Sequence, residues 1–369
     1  MIPTRPEILG SAFAAAAYVT AQATRIAWYL GQYAATRRWL ARVEGTPPPG
    51  LRSRAAGGRI RSALAARALA LLARDLADIQ DRVYPPPPGL VPKPASALAE
   101  AARYWRDLPS VALRRRRRRG RPEGEPAPPP VVPGFPDYYL QSFHDQSGGW
   151  LTADSAALYD TQVEILFGGL ADAMRRRALP PIGRWLADRG ARNRGAVRLL
   201  DLGTGTGALP LAAAAAFPGL DLHALDLSAA YLDQARRRLA GVPVTWHRAA
   251  AEAIPLPDAS VDIVTAVYLL HELPPEARRA VLAEAARVLR PGGRLVVVDA
   301  LQLGDAPALD PVLRGFPDHF HEPYFRDWIA ADLPALLRGA GFVPAGTEPA
   351  YLSKVLTADR PLPGATKPG

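Results

Sequence analysis

The sequence contains no cysteine, little lysine and no long uninterrupted apolar run. Without cysteine the chain cannot form disulfides, thiolate zinc sites or iron–sulfur clusters, and it cannot use a thiol nucleophile. Residues 8–24 are uncharged but rich in alanine and polar side chains, and Arg25 interrupts them before a membrane-spanning length is reached. The N-terminus also lacks the pattern of a signal peptide. We therefore expect a cytoplasmic protein.

The bulk composition is that of a globular protein with more than one part. Hydrophobic residues make up 49% and charged residues 22% of the 369 positions, and such a length exceeds that of one usual domain. The formal net charge of +10 is concentrated before residue 200, where residues 114–119 are six consecutive arginines. We interpret this run as a solvated helix end that leads into a linker, and we expect no specific nucleic-acid partner.

Changes in composition along the chain predict five segments. Residues 1–119 form an accessory helical region, and the proline-rich residues 120–136 form a linker. Residues 137–195 form a cap with lead-in helices. Residues 196–358 form the catalytic domain, and residues 359–369 form a flexible tail.

Helical periodicity in the first half predicts an N-terminal helix and further helices at about residues 61–83, 95–105 and 155–177. The N-terminal helix combines aromatic residues such as Tyr18 and Trp28 with several arginines. Two interpretations stay open for it. It packs on the rest of the protein, or it lies at an anionic membrane surface as a peripheral contact.

Short apolar runs alternate with helical patterns in the second half, which predicts a parallel sheet with helices on both faces. The last two runs are separated by only two residues, so they predict an antiparallel hairpin at one edge. The expected fold is α/β, a Rossmann-like doubly wound seven-stranded sheet. The predicted strands are residues 197–202, 220–226, 242–247, 261–268, 294–299, 342–348 and 351–357.

A glycine-rich loop follows the first predicted strand and precedes an alanine-rich helix. It reads Asp-Leu-Gly-Thr-Gly-Thr-Gly from Asp201 to Gly207. Glycines let the backbone approach a ligand closely, and the free N–H groups of the following helix favour an anionic group. The loop alone is compatible with NAD, FAD or S-adenosylmethionine (SAM).

Two carboxylates narrow the choice of cofactor. Asp201, two residues before the first glycine, is placed to hold a cationic amino group, which suits SAM better than a pyrophosphate. Asp226 ends the next strand and can accept hydrogen bonds from ribose hydroxyls, a feature that NAD enzymes share. The terminal hairpin is not typical of dinucleotide dehydrogenases. An NAD-dependent oxidoreductase stays an alternative at this point, as does a noncatalytic protein of the same fold.

With these elements the chain resembles the class I SAM-dependent methyltransferases, and specifically the type 11 group that includes the ubiquinone/menaquinone-biosynthesis methyltransferases. The resemblance is carried by residues 199–207, 249–264, 271–273 and 288–294. It implies methyl transfer from SAM to a small acceptor, which we expect to be apolar or amphipathic. A methyltransferase acting on a macromolecule is the alternative.

The resemblance also implies a set of cofactor contacts. Gly203, Gly205 and Gly207 are expected at the methionine part of SAM, Asp201 at its amino group and Asp226 at the ribose. Ala250 stands where the family often has an acidic residue that binds adenine, so Glu252 or a backbone carbonyl takes that role. The remaining expected cofactor contacts are Thr204, Leu227, Ala251 and Tyr268.

The acceptor site is expected at the carboxyl edge of the sheet, between the SAM site and aromatic segments at residues 138–159 and 301–328. His271 follows the fourth strand there and is the candidate general base, with a structural role as the alternative. No metal is expected, although His319 and His321 have a spacing that suggests one. The expected acceptor contacts are Tyr139, His144, Tyr159, His319, His321 and Tyr324.

Overall fold

A computed structural model of the chain contains one seven-stranded mixed sheet in the part of the chain that it describes, namely residues 5–45, 54–87, 89–90, 93–119, 134–141, 143–188 and 197–364. The strand order is β3-β2-β1-β4-β5-β7-β6. The strands are β1 (Arg198–Leu202), β2 (Asp221–Asp226), β3 (Val244–Arg248), β4 (Val261–Val267), β5 (Leu289–Ala300), β6 (Val343–Ala350) and β7 (Ser353–Asp359).

Strands β1 to β5 are parallel, and β7 runs antiparallel to both β5 and β6. The sheet therefore confirms the predicted doubly wound fold with its terminal hairpin. The central strand β1 carries leucine side chains on both faces because both faces of the sheet are covered, and Leu199, Leu200 and Leu202 are fully buried. The order of β1 and β4 creates the crevice at the carboxyl edge where such sheets bind ligands.

Two groups of helices cover the two faces of the sheet. One face packs against α5 (Ala171–Arg176), α6 (Leu179–Asp188) and α7 (Ala208–Ala216) through a cluster that includes Met174, Ile182 and Leu209. The other packs against α9 (Pro275–Val288), α11 (Phe325–Ala330) and α12 (Leu333–Gly339) through Val281, Trp328 and Leu337. The remaining helices of this half are α8 (Ala229–Arg238) and α10 (Asp310–His319).

The N-terminal region forms three long helices, α1 (Arg5–Glu44), α2 (Arg54–Gln80) and α3 (Pro94–Arg119). Helix α3 is longer than the predicted 95–105, because burial of Leu108 and Ala112 extends it through Pro109. It ends at Arg119, so the arginine run lies at a helix end as predicted. The run is not solvated throughout, because Arg114 donates to the carbonyl of Asp145 at 2.7 Å and Arg115 pairs with Glu44 at 3.2 Å. Most of the predicted linker, residues 120–133, lies outside the described residues, as do residues 365–369 of the tail.

A buried ion pair ties this region to the sheet-bearing half of the chain. Asp75 of α2 is 0% exposed and accepts two hydrogen bonds from Arg176, at 3.0 and 2.6 Å. The hydroxyls of Tyr18 and Tyr84 donate to the same carboxylate at 2.5 and 2.7 Å. Tyr18 and Tyr29 of α1 are thus directed into the protein, which favours the packing interpretation of that helix. Within the described residues, no helix combines the length and apolar character needed to cross a membrane.

The prediction of one continuous helix over residues 155–177 is wrong in one respect. The segment forms two helices, α4 (Ala153–Leu166) and α5. Gly168 and Gly169 interrupt it with φ angles of +61° and +85°, a conformation that glycine adopts without a steric penalty. A Cβ at Gly169 would lie 3.1 Å from the carbonyl oxygen of Arg25. The break therefore lets α1 approach closely. The five predicted segment boundaries remain predictions.

Candidate cofactor and acceptor site

The glycine loop turns the chain from β1 into α7. Gly203, Gly205 and Gly207 have φ angles of +62°, +55° and +79°. A Cβ at Gly205 would have only the carbonyl oxygen of Gly203 nearby, at 3.9 Å, so this glycine borders open space. A Cβ at Gly207 would instead lie 2.7 Å from Leu239. Gly205 thus leaves room for a ligand, whereas Gly207 permits α7 to pack against the chain that follows α8.

Asp226 lies at the carboxyl end of β2 with both carboxylate oxygens in use. The backbone N–H of Gly205 donates to one oxygen and that of Ser228 to the other, each at 2.8 Å. Burial raises the pKa of Asp226 to about 6, although these N–H groups oppose the rise. The carboxylate lines a cleft. It is placed to accept further hydrogen bonds from hydroxyls of a ligand there.

Asp201 is 2% exposed and lies below the glycine loop. The hydroxyl of Thr265 donates to it at 2.6 Å. Burial raises its pKa to about 7, which hydrogen bonding to threonine hydroxyls opposes. Asp201 is not among the residues that line the cleft, so its predicted contact with the amino group of SAM remains a prediction.

The cleft lies over the carboxyl ends of β1, β2 and β4 and contains about 730 Å³ of empty space, including the part open to solvent. Aromatic residues from the segment before α4, among them Tyr138, Tyr139 and Trp150, form one wall. The hydroxyl of Tyr138 donates a hydrogen bond to Glu252 on the other wall. The predicted cap therefore closes over the glycine loop.

These residues fit SAM. The open space at Gly205 accommodates a close approach of ligand to backbone, Asp226 offers an acceptor for hydroxyls, and the aromatic wall offers flat apolar surface. Four other predicted cofactor contacts also line the cleft, namely Leu227, Ala251, Glu252 and Tyr268. Thr204 is buried, and its N–H donates to the carbonyl of Leu225 at 2.9 Å. The individual cofactor contacts remain predictions.

A second cavity, with about 670 Å³ of empty space including the part open to solvent, adjoins the cleft. Tyr159, Tyr268 and Glu272 line both spaces. Tyr268 has a φ of +56°, which is rare for an aromatic residue and costs conformational energy. The walls of the second cavity are mainly apolar side chains, including Val163, Leu166, Val312, Leu313, Phe316, Phe325 and Leu352.

His271 lies in the wall of the second cavity and is held by Asp299 at the end of β5. Its Nδ1 lies 2.6 Å from a carboxylate oxygen of Asp299, which is 0% exposed. Burial disfavours the charged imidazole, but the charge of Asp299 outweighs this effect and raises the pKa of His271 to about 9. His271 is therefore protonated at neutral pH and must first lose its proton before it can act as the predicted general base.

His144 also reaches the second cavity. Its Nε2 lies 2.8 Å from a carboxylate oxygen of Glu322 and 3.5 Å from one of Glu272. Burial opposes protonation, but the two glutamates raise the pKa of His144 to about 10. The predicted acceptor residue is thus part of a cluster of charged groups in an apolar cavity.

The other predicted acceptor residues do not lie together in the second cavity. Tyr159 lies between the two cavities, and Tyr139 lines the cleft. Tyr324 contacts the ring of Tyr138 edge-on at 6.4 Å between centroids. His319 lines a third cavity beside the N-terminal helices, and His321 lies 3.4 Å from Gln141. The structure therefore does not bring His319 and His321 into the second cavity.

Three residues of the second site were missed by the sequence reasoning. Glu272 follows His271 directly, and Asp299 ends a buried strand at the ligand-binding edge, so position alone could have indicated both. Glu322 reaches the cluster only through the fold, because 50 or more residues separate it from Glu272 and His144.

The comparisons with known proteins agree with this site. Residues 199–293 match a family model described as a methyltransferase domain. The ubiquinone/menaquinone biosynthesis C-methyltransferase UbiE of Desulfotalea psychrophila is 29% identical over 51% of this chain and 79% of its own length. The corresponding protein of Methylobacterium nodulans is 35% identical over 42% of this chain and 60% of its own. A malonyl-[acyl-carrier protein] O-methyltransferase of Hahella chejuensis is 39% identical over 27% of this chain and 34% of its own.

Solved structures share the fold at lower similarity. Human N-acetylserotonin methyltransferase in complex with SAM is 14% identical, with a TM-score of 0.43 over 57% of each chain. A SAM-dependent methyltransferase from Aquifex aeolicus is 21% identical, with a TM-score of 0.35 over 47% of this chain and 87% of its own. The fold class itself follows from the strand order described above.

The family match decides between the alternatives that the glycine loop left open. It selects SAM over NAD, and it selects an enzyme over a noncatalytic protein. After the first relative, this chain spans between 46% and 60% of the length of the next five, so the substrate of the whole chain is a separate question. Residues 199–293 therefore match a methyltransferase domain, and the chain is similar to the ubiquinone/menaquinone-biosynthesis C-methyltransferases.

Proposed function

We propose that the protein transfers the methyl group of SAM to a small apolar or amphipathic acceptor that binds in the second cavity. The observation that carries this proposal is the shared boundary of the two spaces. Tyr159, Tyr268 and Glu272 line both the cofactor cleft and the second cavity. A donor in the first space and an acceptor in the second would therefore meet at these three side chains.

The chain's own residues contribute mainly orientation and exclusion of water. Bound SAM supplies a methyl group on a positively charged sulfur, and the acceptor atom must attack it in line with the breaking bond. The glycine loop and Asp226 fix the donor on one side, while apolar residues such as Val163 and Leu313 fix the acceptor on the other. The aromatic wall of the cap limits access of water. His271 faces the acceptor and, once it has lost its own proton, accepts a proton from an acceptor that must lose one.

The relatives support an acceptor of low molecular weight. Several are named for C-methylation in ubiquinone or menaquinone biosynthesis, and a hydroxylated aromatic ring would suit a cavity lined by Phe316, Phe325 and aliphatic side chains. A macromolecular acceptor, as named for the malonyl-[acyl-carrier protein] relative, is the second candidate. It would have to insert a small group into the same cavity.

A variant that fills the second cavity tests the proposal. Val312 lines this cavity and not the cleft, so Val312→Trp should leave the Kd for SAM within twofold of wild type and abolish methyl transfer. The assay uses SAM with a labelled methyl group and a panel of short-chain quinols, phenols and acyl-carrier-protein esters. Val19→Trp is the matched control, since Val19 is 55% exposed on α1.

Two outcomes would count against the proposal. Undiminished transfer by a folded Val312→Trp variant would place the acceptor elsewhere. Failure of the wild-type protein to bind SAM would remove the assigned donor site altogether.

Peripheral membrane contact through α1 remains a proposal that follows from the N-terminal arginines and from exposed apolar residues such as Val19, Leu30 and Val43. Flotation with anionic vesicles tests it. Recovery of the protein with the vesicles at low salt and its release at high salt would support the contact. Recovery entirely in the lipid-free fraction would eliminate it. We continue to expect no specific nucleic-acid partner.

A further inference from the structure

A cluster of nitrogen and oxygen donors occupies one wall of the second cavity. One ligand atom each of His144, Glu272 and Glu322 lies within 4.8 Å of the others. In the part of the chain that the structure describes, this is the group of three or more histidine, aspartate or glutamate side chains whose ligand atoms lie close enough together to hold one metal ion. The three come from different parts of the fold, namely the cap, the loop after β4 and the loop after α10.

The two glutamates are costly in this position. Glu272 and Glu322 are 7% and 4% exposed, and the Oε2 atom of each is buried without a hydrogen-bond partner. Nε2 of His144 contacts both carboxylates but likewise lacks a hydrogen bond of acceptable geometry. Buried carboxylate oxygens normally have partners, because losing hydration without replacement is unfavourable. The unpartnered atoms belong to the three side chains that converge, so a cation bound among them would replace the hydration that each has lost.

The backbone at His144 and Asp145 has a left-handed conformation where His144 joins the cluster. His144 has φ +55° and ψ +20°, and Asp145 also has a φ of +55°. Side chains other than glycine rarely adopt this left-handed conformation, and such strain concentrates at functional sites. The N–H of His144 donates to the carbonyl of His321 at 3.0 Å, which joins the segments that carry His144 and Glu322. The structure thus bears a conformational cost while it brings two of the donors together.

A second histidine lies next to the cluster. His271 Nε2 is 3.6 Å from an oxygen of Glu272, while its Nδ1 contacts Asp299. The distance to Glu272 is too long for a hydrogen bond, so His271 is held beside the cluster by Asp299 and is not one of its three donors.

We propose that His144 Nε2 and the carboxylates of Glu272 and Glu322 bind one divalent first-row transition-metal ion, such as Zn²⁺ or Mn²⁺. The imidazole of His144 releases its Nε2 proton to solvent when the ion binds. One imidazole and two carboxylates suit these ions, and three protein ligands leave a coordination position free, as in catalytic sites. That position faces the second cavity, because all three side chains line it. An oxygen of the acceptor can occupy it. Only this last step rests on the proposed function, since metal binding does not require an acceptor.

Calorimetric titration of the full-length, EDTA-dialysed protein with ZnCl₂, and separately with MnCl₂, tests the site. Wild type should bind one ion per chain. Glu322→Gln should weaken binding at least as much as the roughly 10- to 100-fold loss seen when a supporting residue is removed, since it alters a ligand itself. His144→Asn should have the same effect, and asparagine tolerates the left-handed backbone at this position. Glu276→Gln is the matched control, because Glu276 is an exposed glutamate paired with Arg279.

Absence of binding by the wild type with both ions would overturn the proposal. Equal affinity of wild type and both ligand variants would also overturn it, since the ion would then bind elsewhere. Circular dichroism confirms that each variant is folded before titration. The same samples are titrated with SAM. If the wild type binds SAM but neither metal ion, this inference alone is refuted. If it binds a metal ion but not SAM, the proposed function is refuted and the metal site stands.

Discussion

Replacement of Asp226 by alanine tests the assigned donor site at its most specific contact. In the proposed complex the carboxylate accepts hydrogen bonds from the ribose hydroxyls, while the N–H groups of Gly205 and Ser228 hold it in place at 2.8 Å each. A hydrogen bond to a charged group contributes about 1.5–3 kcal/mol. Loss of that amount raises the Kd for SAM roughly 10- to 150-fold.

Isothermal titration calorimetry at pH 8 measures this effect. Asp233→Ala is the matched control, because Asp233 lies on the neighbouring helix α8 with its side chain 58% exposed and pairs only with Arg236 at 2.8 Å. The control should bind SAM like the wild type. An unchanged Kd in a folded Asp226→Ala variant would show that Asp226 does not contact the cofactor.

The pH dependence of binding gives a second readout of the same contact. Burial raises the pKa of Asp226 to about 6, and only the ionised carboxylate can accept two hydroxyl hydrogen bonds. Affinity for SAM should therefore be full above about pH 7 and fall as the pH drops through 6. The Asp226→Ala variant should lose the part of this decrease that is centred near pH 6, while protonation of Asp201, whose pKa is raised to about 7, acts in both proteins. A decrease of unchanged size in the variant would assign all of it to another group.

Three further changes have expected outcomes. Gly205→Val should abolish detectable SAM binding in calorimetry, because its side chain would occupy the open space of the cleft, whereas Gly304→Val, also at positive φ but remote from it, should retain binding. His271→Ala should lower kcat with less than a twofold change in the Kd for SAM, and an unchanged kcat would refute its role. Asp75→Ala should lower the free energy of unfolding by about 3–5 kcal/mol in urea titrations, because Arg176 is left buried without its main partner. A loss below 1 kcal/mol would contradict that account.

The sheet could be predicted from the sequence because its signals are local. Apolar runs and the glycine loop mark the strands directly, and the observed strands match to within a few residues except β5, which begins earlier. The hairpin was predicted with its two-residue connection at residues 349–350, whereas the connection lies at Tyr351 and Leu352. The breaks were harder to place. Glycine at 168 and 169 interrupts a helix whose periodicity continues on both sides, and tertiary contact with Arg25 decides the outcome.

The site was predictable only where it lies next to a motif. Gly205 and Asp226 were identified from their positions at the ends of predicted strands and Glu252 from the family resemblance, and all three line the cleft. Glu322 was not, because its approach to His144 depends on packing between distant segments. The raised pKa of His271 could not be predicted from the sequence either, since it depends on the charge of Asp299 in a buried environment.

The most direct test of the central claim is a crystal structure of the protein with S-adenosylhomocysteine, the product that SAM leaves after methyl transfer. The account predicts the ligand in the cleft, with its ribose at Asp226 and its sulfur at the opening between Tyr159 and Tyr268, facing the second cavity. A sulfur atom directed away from that opening, with the second cavity closed off from it, would contradict the account.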